Sequence, residues 1–158
     1  MYLVLDFFHM DTLIIFCGTY LIWVVALIGF IYLIQSHKRK RIALFAVVVL
    51  PATYIIGKIV GIFWYDPLPF VQNGTTPLIA HAANNGFPSD HMLLAGAIAS
   101  VVFAYNRPLG ILLWVLAIII GVARVLAGVH HPVDVIAAAI VALVVAWISW
   151  RVLHRYVA

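Results

Sequence analysis

Residues 110–150 read GILLWVLAIIIGVARVLAGVHHPVDVIAAAIVALVVAWISW: two long apolar runs flank a short stretch with an arginine, two histidines and an aspartate. Apolar runs of this length are typical of helices that cross the roughly 30 Å hydrocarbon core of a bilayer. Of the 158 residues, 66% are hydrophobic and 9% are charged, a composition that excludes an ordinary soluble domain. The runs are continuous rather than alternating, which favours helices over a membrane β-barrel. We therefore predict one domain, residues 1–158, folded as an all-α polytopic transmembrane helix bundle.

Five apolar segments predict membrane helices, and residues 1–11 are expected to form a short interfacial segment that stands in for a sixth. Pro51 predicts a kink in the second helix, and Pro132 suits the first turn of the fifth. A loop rich in Pro, Gly, Asn and Thr follows the second helix, and the NRPLG stretch predicts a tight turn before the fourth. The predicted helices cover residues 12–34, 42–64, 89–105, 110–125 and 132–152, and the loop covers residues 66–87.

The basic stretch HKRKR at residues 37–41 predicts the orientation in the cell membrane. If it lies in the cytoplasm and the helices cross alternately, its four Lys and Arg residues are joined there by Arg107, Arg151 and Arg155. Seven of the nine Lys and Arg residues are then cytoplasmic, as the positive-inside rule requires. The N-terminus lies outside and the C-terminus lies in the cytoplasm. The net charge of +4 is interpreted as this topology signal, so no nucleic-acid partner is expected.

The remaining ionisable residues of the spans and loops gather at the outer end of the predicted bundle. Charges at membrane depth are costly, and those that persist usually face a cavity and serve a site. This convergence predicts an active site on the extracytoplasmic side. The residues expected at that end are Lys58, Arg124, His81, His91, His130, His131 and the five aspartates Asp6, Asp11, Asp66, Asp90 and Asp134.

His130 and Asp134 predict a nucleophile and its orienting partner. A spacing of four residues at the start of a helix puts both side chains on one face, within reach of each other. A carboxylate that holds the proton of one ring nitrogen leaves the other nitrogen nucleophilic. His131 has a similar position, but the spacing to Arg124 and Asp134 favours His130 as the nucleophile and gives His131 a supporting place.

Four further residues predict phosphate chemistry. Arg124 offers a planar guanidinium suited to phosphate oxygens, and Lys58 adds a second cation. Ser89 and the free N–H groups that open the third predicted helix form an anion site. His91 is a candidate general acid that protonates a leaving oxygen. Together these groups predict phosphoryl transfer that needs no metal and no cofactor.

Two motifs carry a resemblance to a known family. One is Pro-Ser-Asp-His at residues 88–91, and the other is Ala-Arg at 123–124 followed at the right spacing by His130 and Asp134. They resemble the motifs of the type 2 phosphatidic acid phosphatase superfamily, integral-membrane lipid phosphatases that share their site with vanadium haloperoxidases. The stretch HAANNGFPSDH is similar to that of bacterial undecaprenyl-diphosphate phosphatases of the bacitracin-resistance type. The resemblance extends over about residues 54–140.

The resemblance implies a membrane lipid phosphatase that forms a phosphohistidine at His130 and removes the terminal phosphate of undecaprenyl diphosphate or another polyprenyl diphosphate. Four residues are expected to lie close behind the reacting groups: Asp90, His131, Asp66 and Pro88. Phosphatidylglycerophosphate and phosphatidate stay open as alternative substrates within the superfamily. An alternative from another class is a protein that binds or transports lipid phosphates without turnover.

Some positions depart from the family pattern. Leu68 stands where an arginine is usual, so one phosphate-binding cation is missing, a contact worth on the order of 2–4 kcal/mol in a transition state. Ala123 replaces the usual serine, a smaller loss. His81 is interpreted as a residue of the outer loop rather than a substrate contact. A His/Asp metal site is disfavoured because the sequence has no glutamate and no H-x-x-x-H pattern.

Overall fold

The computed structural model describes the backbone of residues 2–157 and the side chains of residues 9–156. Over these residues it consists of helices joined by loops, with one isolated antiparallel bridge between Pro67 and Asn85 and no longer strand. The all-α prediction is confirmed. The helices are α1 (Tyr2–Thr19), α2 (Leu21–Gln35), α3 (Arg39–Phe63), α4 (Pro69–Asn73), α5 (Asp90–Phe103), α6 (Arg107–Leu126) and α7 (Pro132–Val157).

The first predicted span, residues 12–34, is two helices instead of one. α1 and α2 meet at Tyr20 with a bend of 43°. The bend lets α1 pack against α6 while α2 packs mainly against α5. Near the bend, a Cβ on Gly18 would come within 2.6 Å of Ile79 Cδ1, so the glycine allows the loop before α5 to pack directly on α1. Residues 2–11 belong to α1 rather than to a separate interfacial segment.

Three helices, α3, α6 and α7, are long and apolar enough to cross a membrane, and α1 with α2 can form a fourth, bent span. α5, predicted as a full span over residues 89–105, has only 14 residues and a length of about 21 Å. The described part of the chain therefore contains three or four full spans and one shorter apolar helix, where the sequence predicts five to six membrane helices. The chain is a multi-pass membrane protein.

α5 lies at the centre of the bundle, in contact with α2, α3, α6 and α7. Small side chains on its surface let the neighbouring helices approach closely. A Cβ on Gly96, for example, would lie 3.0 Å from both Ala142 Cβ and the Trp114 ring. α5 therefore carries its N-terminus into the protein interior, where its N-cap residue Ser89 is completely buried.

Capping explains two differences from the predicted boundaries. Asn106 Oδ1 accepts a hydrogen bond from the backbone N–H of Leu109 at 3.2 Å and caps α6, so the NRPLG stretch begins that helix instead of forming a separate turn. Within the predicted loop, residues 69–73 form the short α4, which Gly74 ends with a φ of 62°. α7 begins at Pro132, as predicted.

The direction of the helices brings the ends of α3 and α6 and the starts of α5 and α7 together at one end of the bundle. The basic stretch of residues 37–41 begins α3 at the opposite end. There Phe45, Tyr105 and Trp150 form an edge-to-face aromatic cluster with ring centroids 5.5–6.2 Å apart. The residues of the two motifs consequently meet at the end of the bundle that is far from the basic stretch.

Candidate active site

His130 and Asp134 form a buried pair where α7 begins. His130 Nδ1 lies 3.3 Å from Asp134 Oδ2, and the two residues are 4% and 0% exposed. Asp134 Oδ2 also accepts a hydrogen bond from the backbone N–H of His131 at 2.8 Å, which holds the carboxylate in place. A ring that donates its Nδ1 proton to a carboxylate keeps a lone pair on Nε2. The pair therefore offers one oriented nucleophilic nitrogen.

The neighbouring His131 is engaged by a different carboxylate. Its Nδ1 lies 3.0 Å from Asp66 Oδ2, so its ring is tied to the segment that follows α3. One ligand atom each from Asp66, His131 and Asp134 lies within 4.8 Å of the others, a spacing that a metal ion can use. Hydrogen bonds hold these groups together, while Asp134 Oδ1 is buried and has no hydrogen-bond partner.

The two sequence motifs meet through the backbone. The N–H of Ser89, at the N-cap of α5, donates to the carbonyl oxygen of Asp134 at 3.2 Å. This bond joins the start of α5 to the first turn of α7. It places the Ser89 hydroxyl and the N–H groups that open α5, which have no acceptor within their own helix, beside the His130–Asp134 pair.

Ser89 and Arg124 present buried donors that nothing in the described chain accepts. The Ser89 hydroxyl has no hydrogen-bond partner, nor do Nε and Nη2 of Arg124. Arg124, in the last turn of α6, is 2% exposed, and its Nη1 makes one long bond of 3.4 Å to the carbonyl oxygen of Gly18. A buried donor without a partner costs about 1–3 kcal/mol, and more when it is charged. Buried donors of this kind suit an anionic ligand such as a phosphoryl group.

Lys58, the other predicted phosphate-binding cation, is already paired. Its Nζ lies 2.8 and 2.9 Å from the two carboxylate oxygens of Asp90, and it also lies over the Tyr54 ring. Both charged groups are about half exposed, at the rim of the site rather than inside it. His91 follows Asp90 in α5 and is half-buried, within electrostatic range of Arg124 and His130.

Asn85 is a residue that the sequence reasoning missed. Its side-chain oxygen accepts hydrogen bonds from the N–H groups of Asp66 and Phe87 at 3.0 and 3.1 Å. Its side-chain nitrogen donates to the carbonyl oxygens of Gly61 and Trp64 at 2.8 and 3.1 Å. The amide thereby joins the end of α3 to the segment that leads into Ser89. Only the position of Asn85 in an Asn-Asn-Gly turn signal pointed to a structural role.

Leu68 lies in the segment that follows α3, directly before α4. It is completely buried, and its Cδ2 would stand 2.7 Å from a Cβ placed on Gly86. The same Cβ would come within 3.3 Å of Asp134 Oδ2, so Leu68 and Gly86 line the back of the carboxylate. The position where an arginine is expected is therefore an apolar wall of the site. Pro88, expected close to the reacting groups, is buried directly before Ser89.

His81 makes a contact that its position in the loop does not indicate. It lies in the loop before α5, but its ring packs edge-to-face on the His130 ring, with centroids 5.7 Å apart. Burial lowers the pKa of His81 below its usual value of 6.5, and the neighbouring Arg124 and His130 lower it further. His81 is a loop residue, as predicted, and no local pattern announced its contact with His130.

Comparison with known proteins identifies the family of the chain. Residues 42–158, from the start of α3 to the C-terminus, match the sequence model of the PAP2 superfamily. The chain belongs to the PAP2 superfamily. This superfamily is the one that the two motifs suggested, and it makes the chain a membrane protein of a phosphatase family.

Two curated relatives cover most of the chain. The undecaprenyl-diphosphatase BcrC of Bacillus subtilis is 32% identical over 143 residues, which are 90% of this chain and 74% of the relative. The bacitracin transport permease protein BcrC of Bacillus licheniformis is 31% identical over 149 residues, 92% of this chain and 73% of the relative. The crystal structure of LpxE from Aquifex aeolicus has the same fold, with a TM-score of 0.68 over 94% of this chain and 86% of LpxE, at 23% identity.

Proposed function

We propose that the protein hydrolyses undecaprenyl diphosphate to undecaprenyl phosphate and inorganic phosphate at the extracytoplasmic face of the cell membrane. The observation that carries this proposal is the oriented His130 beside the unpartnered donors of Ser89 and Arg124. A nucleophile next to vacant anion donors suits attack on phosphorus. The name of the Bacillus subtilis relative, an undecaprenyl-diphosphatase, supports the choice of lipid.

In the first step, Nε2 of His130 attacks the terminal phosphorus. A P–N bond forms, and the bond from phosphorus to the bridging oxygen breaks. His91 gives a proton to that oxygen, and undecaprenyl phosphate leaves. Asp134 keeps its bond to Nδ1 and stabilises the positive charge that develops on the ring, as a carboxylate does for a catalytic histidine.

In the second step, water attacks the phosphorus of the phosphohistidine. The P–N bond breaks, its electron pair returns to Nε2, and the proton of the water passes to the neutral His91. Inorganic phosphate then leaves. In both steps, Arg124, Ser89 and the N–H groups at the start of α5 hold the equatorial oxygens, over which the negative charge is spread.

Lys58 joins these donors in the proposal. Its Nζ must exchange an Asp90 oxygen for a phosphate oxygen, which is feasible because the pair is half exposed. Asp66 and His131 hold the backbone around Asp134 and do not touch the substrate. Membrane lipids surround the bundle, and the polyprenyl tail lies among them.

A second candidate is transport or binding of a lipid phosphate without turnover. The Bacillus licheniformis relative has the name of a bacitracin transport permease protein rather than of a hydrolase, and this name supports a role without turnover. Hydrolysis of phosphatidylglycerophosphate or phosphatidate is the alternative within the phosphatase class. Each alternative predicts a different result in one assay.

The test is phosphate release from undecaprenyl diphosphate by the purified protein in detergent, with and without EDTA. We expect turnover by the unmutated protein, unchanged by EDTA, and loss of turnover in His130→Ala. His154→Ala, an exposed histidine of the last turns of α7, is the matched control and should retain full activity. Binding without phosphate release would favour the transport alternative. Faster phosphate release from phosphatidate or phosphatidylglycerophosphate would identify that lipid as the substrate instead. Equal rates of phosphate release in His130→Ala and the unmutated protein would overturn the mechanism.

A further inference from the structure

His81 lies beside the proposed nucleophile His130 but has no role in either of the two proposed steps. Its loop is anchored to the end of α6, because the N–H of Leu78 donates to the carbonyl oxygen of Ala127 at 3.0 Å. Ile79 is buried against Ala127 and Val129 in a small apolar cluster. The edge-to-face contact between His81 and His130 is therefore supported by packing on both sides.

One ring nitrogen of His81 is fixed and the other is available. Nδ1 lies 2.9 Å from the carbonyl oxygen of Ala82, which can only accept, so Nδ1 carries a proton. In the neutral ring Nε2 has a lone pair, and in the imidazolium it becomes a second donor. The ring is half-buried and adjoins the site, so this nitrogen is accessible to a bound ligand.

The charged neighbours of His81 include residues of the proposed phosphate site. Arg124 of α6, His130 and Asp90 of α5 lie within electrostatic range of His81. His91 of α5 also lies within electrostatic range. The Nδ1 atom of His130 faces Asp134, while the His81 ring packs edge-to-face on the His130 ring. His81 therefore lies next to both the proposed nucleophile and the proposed phosphate-binding residues.

The geometry of in-line attack determines which part of the substrate lies beyond the reacting phosphorus. The terminal phosphorus sits about 3–3.5 Å from Nε2 of His130 in a reactive complex, and the leaving group lies beyond it. With a diphosphate, this leaving group is a second phosphate with charge on its oxygens. With a phosphate monoester, it is a single alcohol oxygen that carries an apolar chain.

Resting on the proposed function, we propose that His81 binds the second, leaving phosphate of a lipid diphosphate through Nε2–H and selects diphosphates over phosphate monoesters. The free site keeps His81 neutral, because burial and the positive charge of Arg124 oppose its charge. The negative charge of a bound diphosphate reverses this balance, and the ring takes up one proton from solvent. Nε2–H then donates a charge-assisted hydrogen bond, which a monoester cannot receive at that place.

The test compares farnesyl diphosphate with farnesyl phosphate, two water-dispersible probes that share one lipid tail. In His81→Ala we expect kcat/KM for farnesyl diphosphate to fall about 10- to 100-fold, the effect of one hydrogen bond to a charged group. The value for farnesyl phosphate should change by less than about threefold on the same scale. His81→Gln, whose side-chain amide retains an N–H donor, should recover part of the loss.

The outcomes distinguish failure of the His81 proposal from failure of the proposed function. An equal fall for both substrates would mean that His81 supports the fold or a step common to both, and would overturn the proposal. Unchanged kinetics for both would overturn it as well. The monoester rate also serves as the control for folding. If the unmutated protein hydrolysed neither probe nor undecaprenyl diphosphate, the proposed function itself would fail.

Discussion

The side chain of Lys58 lies 2.8 and 2.9 Å from the two carboxylate oxygens of Asp90, so a cation expected to bind phosphate is held by an acid from the adjacent motif. Asp90 stands directly between Ser89, the buried N-cap of α5, and His91. The pair joins the second predicted span to the start of α5 at the rim of the site. In the proposed mechanism, substrate phosphate competes with this carboxylate for Lys58.

Replacing Asp90 by Asn removes the competitor while keeping the shape of the side chain. We expect KM for undecaprenyl diphosphate to fall several-fold with kcat little changed, because Lys58 then binds phosphate without first breaking an ion pair. The free energy of unfolding should change by only about 0–1 kcal/mol, since the pair is half exposed. Steady-state kinetics in detergent measure the effect. A higher KM would show instead that Asp90 positions Lys58.

The Asp134→Asn variant tests the orientation of His130. The amide cannot hold the Nδ1 proton as a carboxylate does, and it does not stabilise the charged ring. We expect kcat to fall by about 10²–10⁴-fold with little change in KM, as for other catalytic histidines that lose their carboxylate. Asp11→Asn, in α1 at the same end of the bundle, is the matched control. Retained kcat in Asp134→Asn would remove Asp134 from the mechanism.

Arg124→Met separates stability from activity. Arg124 is a buried charge with one long hydrogen bond, so an apolar side chain of similar length should keep or raise the melting temperature. The phosphate loses its guanidinium, and kcat should fall by about 10²–10³-fold. Thermal unfolding and turnover are measured on the same samples, with Arg107→Met at the other end of the bundle as control. A large drop in melting temperature would mean that Arg124 holds the fold.

Gly86→Ala should disturb Asp134 from behind. The new Cβ would lie 2.7 Å from Leu68 Cδ2, 3.2 Å from the carbonyl oxygen of Asp66 and 3.3 Å from Asp134 Oδ2. We expect turnover to fall at least tenfold, on the order of 1.4 kcal/mol in the barrier, because the carboxylate must shift. Gly29→Ala, whose Cβ meets only the Ile98 side chain far from the site, should retain activity. Equal activity in both variants would contradict the prediction.

The pH dependence of KM reports the proton that His81 takes up. The pKa of His81 is lowered in the free site, mainly by burial, and a bound diphosphate raises it. Binding is therefore strongest below the free-site pKa and weakens as pH rises through the pKa of the complex. KM for farnesyl diphosphate should rise with pH between the free-site pKa and the pKa of the complex, level off above the pKa of the complex, and lose this rise in His81→Ala. The charged and titratable groups around His81 are Arg124, His130, His91 and Asp90. A rise that persisted in His81→Ala would assign the titration to one of these.

Much of the fold follows from local patterns. Long apolar runs require helices in a bilayer because only internal hydrogen bonds satisfy the backbone there. Pro132 in a first turn located the start of α7, and the four-residue spacing placed Asp134 within reach of His130. The bend at Tyr20 and the short α5 escaped prediction because they depend on which helices pack together rather than on local composition.

The amino-acid sequence by itself determined the class of protein, the membrane helices in outline and the candidate residues for phosphate chemistry. Their spacing and residue type are local properties. The tertiary structure alone decided which of these residues are free to act: Lys58 is paired with Asp90, whereas Ser89 and Arg124 keep unpartnered donors. It also brought His81 onto His130 across 49 positions of the chain, because the loop before α5 folds back on the end of α6. Such contacts are set by packing between distant segments, and no periodicity within either segment encodes them.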